Sequence, residues 1–582
     1  MSATGIADAE AARSYEIEED KFDRWNSKHN TSKEVTQIRE KDANDDDELS
    51  IGGRNTNQNG SEELPKLKRE LKSRHMQMLA MGGTIGTGLF IGSGTALQNG
   101  GPVGCLLGYL LVALIVFCVI ISLAEMCTLF PVSGSFTHYA ARFVDPALGF
   151  AQGWNYFYCW GIAIPLELVA AGIVITYWDT KTNIAVYITV FFALIVAINL
   201  LGTKMYGETE FWLSGLKVIT ILGLLILGIV LILGGGPTHD RIGFRYWKEY
   251  GVLNQYNDIP GSLGRFLAVW STFVNGAFSY SGSELVAVTA GESKDPRRNI
   301  PKALKKVFVR LVVLYCGSVF VIGVLVPYNS PQLVSAATSA STAAASPFVI
   351  FIKNAEIKVL PDIINAVILT AVLSAANSDL YAASRTLYAL STQTSSMTPK
   401  IFKRVPKTGP FKNLPVWCVI ATSLLGFLAY LNLSSGATVV FNWLVNLSTI
   451  AVLLTWCFIC VSYLRFFYAC KVQNLNRDEL PFKGPFQPYL AWTGTIATSL
   501  IILFSGFYVF LEGNWSVSSF LTAYLGAPIY ATMYFGYKFI MKTSIIPLAE
   551  IDIQTGRNDS DIQLAQREGE QSWLKRVYSA VL

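Results

Sequence analysis

Charge is scarce in this sequence: Lys, Arg, Asp and Glu together make up 15% of its 582 residues, too few to clothe the several soluble domains its length would suggest. Histidine is scarcer still. The four that occur, His29, His75, His138 and His239, are scattered, and no Ser/His/Asp, HExxH or Walker pattern is present, which argues against a hydrolase, an ATPase or any other enzyme. Nothing in the residues calls for a metal or an organic cofactor. The net charge of +5 is small for this length, and no basic face interleaved with aromatics exists, so nucleic acid is not an expected partner. Apart from Cys470, the nine cysteines fall in apolar runs and read as packing residues; Cys457 and Cys460 form a CxxC without companion ligands. No apolar stretch opens the chain, so the first membrane segment is expected to act as its own targeting signal.

Hydrophobic residues supply 52% of the chain. With a mean hydropathy of +0.39, the middle of the sequence belongs in lipid. Twelve spans are expected, at roughly 76–97, 103–130, 149–177, 184–203, 212–233, 266–290, 307–327, 358–390, 415–431, 439–464, 489–511 and 517–540. Basic residues crowd alternate loops, before the first span (Lys66, Lys68, Arg69), after the sixth (Lys294, Arg297, Arg298) and after the eighth (Lys400, Lys403, Arg404). The positive-inside rule then places both termini in the cytoplasm. Residues 1–70 are polar and acidic and are expected to be disordered. Lys21, Lys28, Lys33 and Lys41 in that tail are candidates for modification by ubiquitin-ligase machinery, with simple solvation as the competing reading.

Within the first span, MGGTIGTGLFIGSGTA (Met81 to Ala96) carries six glycines. Such density weakens a helix, and a broken membrane helix survives where its bare peptide groups line a cavity or hold a ligand. Close helix packing through GxxxG spacing is the competing reading; the order is wrong for a dinucleotide fingerprint. A second interruption, FSYSGSE from Phe278 to Glu284, lies in the sixth span and places a carboxylate at membrane depth. Spans one to five and six to ten thus form two halves, each opening with an interrupted helix, the pattern of an inverted-repeat transporter. The expected boundaries are 71–233 and 234–465 for the halves, 466–543 for two further spans and 544–582 for a C-terminal tail.

GGTIGTGLFIGSGTAL, AEM at Ala124 to Met126, YGETEFWLSGLKV from Tyr206, SGSELV from Ser281, LVPYN from Leu325 and SAANSDLYAASRTLYAL from Ser374 occur in that order. Together they resemble the fungal amino acid permeases, the yeast amino acid transporter family of the amino acid, polyamine and organocation superfamily. The resemblance implies an all-α membrane protein of about twelve helices, with the five-plus-five inverted repeat of leucine-transporter type and two appended helices. It implies proton-coupled uptake of amino acids at the plasma membrane; an amino acid-sensing receptor and an uncoupled facilitator are the alternatives. On this basis Thr84, Ile85, Gly86, Thr87 and Gly88 would bind the substrate with Phe278, Ser281, Gly282 and Glu284, the backbone N–H groups of the first break taking the carboxylate and nearby carbonyls the ammonium. Phe278 would close over the substrate as a gate, although a lone phenylalanine reads by default as packing. Lys217 is the first candidate for proton coupling, with snorkelling to the membrane edge as its competing reading, and Glu284 the second. Glu167 is a candidate for facing the substrate side chain and favouring a cation, and Asp379 for doing the same, with pairing to a helix end as its competing reading. Glu125 reads equally as a functional carboxylate or as a structural partner for the basic inner loop.

Overall fold

Long runs of Leu, Ile, Val and Ala, punctuated by Gly and Pro, leave the backbone no polar partner in lipid but itself, and every long element is a helix. The computed structural model describes residues 85–130, 135–285, 296–338, 346–392, 398–406, 408, 409, 411, 414–477, 480 and 482–555, and among them no strand occurs. These all belong to one unit, Pro65–Leu582. Thr84, the N-terminal tail and residues beyond 555 lie outside the described residues.

A π-helical turn, Gly88–Gly92, leads into α1 (Ser93–Leu129). There follow α2 (Ser135–Phe143), α3 (Pro146–Ile175), α4 (Ile184–Leu200), α5 (Thr203–Ile232) and α6 (Gly261–Ser279). The second part holds α7 (Pro296–Leu325), α8 (Leu360–Thr392), α9 (Val416–Leu431), α10 (Ala437–Val472), α11 (Tyr489–Phe504) and α12 (Gly526–Met541). Among the described residues, six segments are long and apolar enough to cross a membrane: Gly88–Leu129, Pro146–Ile175, Met205–Ile232, Leu360–Thr392, Thr438–Val472 and Tyr489–Phe510. The chain is a multi-pass membrane protein.

Two boundaries show how the sequence sets its breaks. Where a loop is expected at 98–102, the helix turns sharply at Gly101, whose φ of 70° is open to glycine, and resumes behind Pro102. Asp145 caps α3, accepting from the Ala147 N–H at 2.9 Å, with Pro146 in the first helical position. The short helix α2 was not expected; its nine residues sit in what the hydropathy pattern reads as a loop.

α3 is the centre of the fold, packing against α8 and α10, while α1 packs against α6 and α7. α5 shows the inside-out pattern of a lipid-facing helix. Trp212, Ile219 and Ile226, seven residues apart, are exposed, while Glu210, Ser214 and Lys217 are buried on the other side. All nine cysteines are buried as thiols.

Residues 542–555 fold back along the ends of α2 and α10. Ile546 N–H donates to the Val144 carbonyl at 3.0 Å, Gln473 reaches the carbonyls of Leu548 and Ile551, and Arg142 donates to those of Asp552 and Thr555. Partial burial opposes the charge of Asp552. The backbone N–H groups of Thr555 and Gln554, the Thr555 side chain and Arg142 outweigh it and hold this carboxyl at about 2.

Candidate functional site

The two glycine-bearing breaks meet. Gly86 bends the chain ahead of the π-helical turn, and its carbonyl accepts from Leu89 and Phe90 N–H at 3.2 and 3.3 Å. α6 stops at Ser279, and Gly282, with φ of 85°, carries the chain out of helical geometry. A side chain at position 88 would have its Cβ 2.6 Å from the Ser279 Cα, so glycine is required for the two backbones to touch here. Ser279 is held from the far side by Tyr109, their hydroxyls 2.8 Å apart.

Between the breaks lies a small cavity of about 40 Å³. Its floor is the first break, Gly86, Thr87 and Gly88; Phe278, Ser279 and Ser281 come from the second. α3 contributes Cys159, Trp160, Ala163 and Glu167, α8 contributes Ala375 and Asp379, and α10 contributes Ser448. Glu167 is 5% exposed and accepts a hydrogen bond from the Thr87 hydroxyl. Gly86 approaches both neighbours, a Cβ there standing 3.4 Å from that of Ala375 and 3.6 Å from Glu167 Oε1.

Of the residues expected from sequence, Gly86, Thr87, Gly88, Glu167, Phe278, Ser281 and Asp379 line this cavity. Ile85, Gly282 and Glu284 are buried without being among the lining residues. Glu284 accepts from the Trp456 indole at 3.1 Å. Lys217 is buried inside the helix bundle rather than reaching to its edge, and its Nζ stands 3.7 Å from Glu210 Oε1. Glu210 in turn accepts from Ser214 at 2.9 Å and from Ser374 of α8 at 2.7 Å. Glu125 is set in a different place and fully engaged. Arg477 binds both its oxygens, Tyr463 donates at 2.8 Å and the Gly484 N–H at 2.8 Å. The structural alternative for this carboxylate therefore describes its surroundings.

Sequence reasoning passed over Glu210, although a carboxylate seven residues before a lysine in an apolar span is a signal for a buried pair. Cys159, Trp160, Ala163 and Ser448 carried no such signal, being ordinary residues of membrane helices.

The sequence model of the family described as amino acid permease matches residues 75–548. The dicarboxylic amino acid permease of Saccharomyces cerevisiae is 42% identical over 519 residues, covering 89% of this chain and 83% of that protein. A proline-specific permease of Emericella nidulans is 41% identical over 524 residues, 89% of this chain and 94% of its own. The general amino-acid permease of Saccharomyces cerevisiae is 43% identical over 508 residues, 86% of this chain and 82% of its own. With a family match over most of its length and relatives at this identity, the chain belongs to the amino acid permease family.

Proposed function

We propose that this protein carries amino acids into the cell across the plasma membrane, coupled to protons and working by alternating access. The observation that carries the reading is the contact of the two helix breaks, Gly88 against Ser279, beside a polar cavity. A zwitterion entering that cavity brings two charges that each need partners. Backbone N–H groups at the start of the helical stretch, around Gly86, Thr87 and Gly88, suit its carboxylate. Carbonyls of the breaks, around Thr84 and Ile85 and around Phe278 and Ser281, suit its ammonium, and Phe278 is the gate.

On this reading 71–233 and 234–465 are the two inverted five-helix halves, followed by two further helices in 466–543, with both termini cytoplasmic. Lys217 exchanges the coupling proton, and its pairing with Glu210 gives that proton a reason to leave or stay as the helices shift. Glu284 is the second candidate. Similarity to amino acid permeases across most of the chain supports the cargo.

Uptake of labelled amino acids in a host lacking its own permeases tests the proposal. Accumulation that rises with an inward proton gradient and collapses with an uncoupler is expected. Binding without accumulation would mean a receptor, and uncoupler-insensitive equilibration a facilitator. Lys217→Met is expected to abolish gradient-driven accumulation; full retention would remove the lysine from the coupling step.

A further inference from the structure

α5 and α8 meet along a seam whose ties run in register. At the start of α5, Arg385 of α8 donates to the Thr203 hydroxyl at 3.1 Å, and its guanidinium lies 4.6 Å from the centre of the Tyr381 ring. One turn further, Tyr206 stacks on Tyr381 with ring centroids 3.9 Å apart and 5° between their planes, and its hydroxyl donates to Ser378 at 3.2 Å. The next tie inward is made by a carboxylate. Glu210 Oε2 accepts from the Ser374 hydroxyl at 2.7 Å, beside Ala375 in the cavity wall.

This tie differs from the others because the same carboxylate also serves a buried cation. Its second oxygen, Oε1, accepts from Ser214 at 2.9 Å and stands 3.7 Å from Lys217 Nζ. Glu210, Ser214 and Lys217 fall on successive turns of the buried face of α5, and both charged side chains are 1% exposed. Lys217 has a further interaction besides, so the pair belongs to a network. The ionisable groups that bear on it are Glu167 of α3, Asp379 of α8 and Tyr206 of α5. A buried carboxylate beside an ammonium is tolerable; once that ammonium gives up its proton, the carboxylate is an uncompensated buried charge, and hydration is its relief. Water reaches Glu210 when α5 parts from α8, and the same parting breaks the bond to Ser374.

We propose that Glu210 is the positioning residue that links the proton on Lys217 to the α5–α8 seam. While Lys217 is an ammonium, Glu210 is held and the seam stays shut; as the seam parts on the cytoplasmic side, the proton passes from Lys217 to the entering water. This deepens the proton-coupled reading above and rests on it.

The test measures two quantities on the full chain in lipid vesicles, both with a labelled mixture of the common amino acids. One is accumulation driven by an inward proton gradient; the other is exchange of internal label for external unlabelled mixture with no gradient. Glu210→Gln is expected to lower the ratio of accumulation to exchange by about tenfold or more, the scale of one charge-assisted hydrogen bond. Ser374→Ala is expected to lower it likewise, although it leaves the ion pair in place, and Ser374→Thr, which keeps the hydroxyl, to retain it. A merely structural role would reduce accumulation and exchange by the same factor, so an unchanged ratio in Glu210→Gln or in Ser374→Ala overturns the proposal. Should Glu210→Gln fail to insert, the two Ser374 variants decide alone. Accumulation by the unaltered protein without a proton gradient would remove the coupling on which this rests, and a chain that moves no label would sink the transport reading itself.

Discussion

Glu125 and Asp379 are both carboxylates buried in apolar helices, and the protein treats them in opposite ways. Glu125 is wrapped by Arg477, Tyr463 and the Gly484 N–H, and a Cβ at Gly484 would lie 3.0 Å from its Oε2. Asp379 is held beside a cavity with no hydrogen-bond donor supplied to it among the described residues. The first arrangement ties the end of α1 to the segment between α10 and α11; the second leaves a carboxyl group lining the cavity. Burial of a carboxylate is thus no guide to its role until its partners are known.

The comparison is broken most sharply by removing one partner from each. Arg477→Met strands Glu125 as an uncompensated buried charge and is expected to cost about 3–5 kcal/mol, read as a fall in thermal unfolding midpoint in detergent. Asp379→Asn removes a carboxyl group that accepts no hydrogen bond among the described residues and is expected to leave that midpoint unchanged or raised. A large destabilisation by Asp379→Asn would mean that this carboxylate is structural after all.

The contact between the breaks can be probed in the same way. Gly88→Ala drives a methyl group into the Ser279 backbone and is expected to cost about 1–3 kcal/mol and most uptake. Gly215→Ala on α5, where a Cβ meets nothing within 4 Å, is expected to be silent or slightly stabilising. Equal tolerance at both positions would mean that the breaks do not touch as described.

The smallest effect is expected outside the membrane, at the C-terminal segment. The Asp552 carboxyl is held below its unfolded value of about 3.9, so its contribution to docking residues 542–555 is complete above that value and lost as pH falls through about 2. Protease resistance of this segment is expected to be flat from about pH 8 to 5 and to weaken below about 4. A step between about pH 7 and 5 would point to a group other than Asp552.

Much of this architecture could be read from residues alone, because in lipid hydropathy and backbone satisfaction leave few choices. The glycine cluster at Gly86 and Gly88 and the FSYSGSE stretch marked both breaks, since each violates what a lipid-facing helix allows. The expected loop at 98–102 became a turn at a single residue, Gly101, because a positive φ followed by proline reverses a helix without unstructured chain. What stayed hidden depends on distant pairing. That Glu210 meets Ser374, or Glu125 meets Arg477, is set by residues 164 and 352 apart in sequence, and no local pattern encodes it. The docked segment 542–555 was hidden for the same reason, its partners being carbonyls and side chains of α2 and α10.

Electron cryomicroscopy of the protein saturated with a transported amino acid tests the central claim most directly. The account predicts ligand density between Gly86–Gly88 and Phe278–Ser281, its carboxylate on the backbone N–H groups of the first break and its α-ammonium toward the carbonyls of the breaks. Density elsewhere in the molecule, or a ligand seated in the cavity with neither break in contact with it, would contradict it.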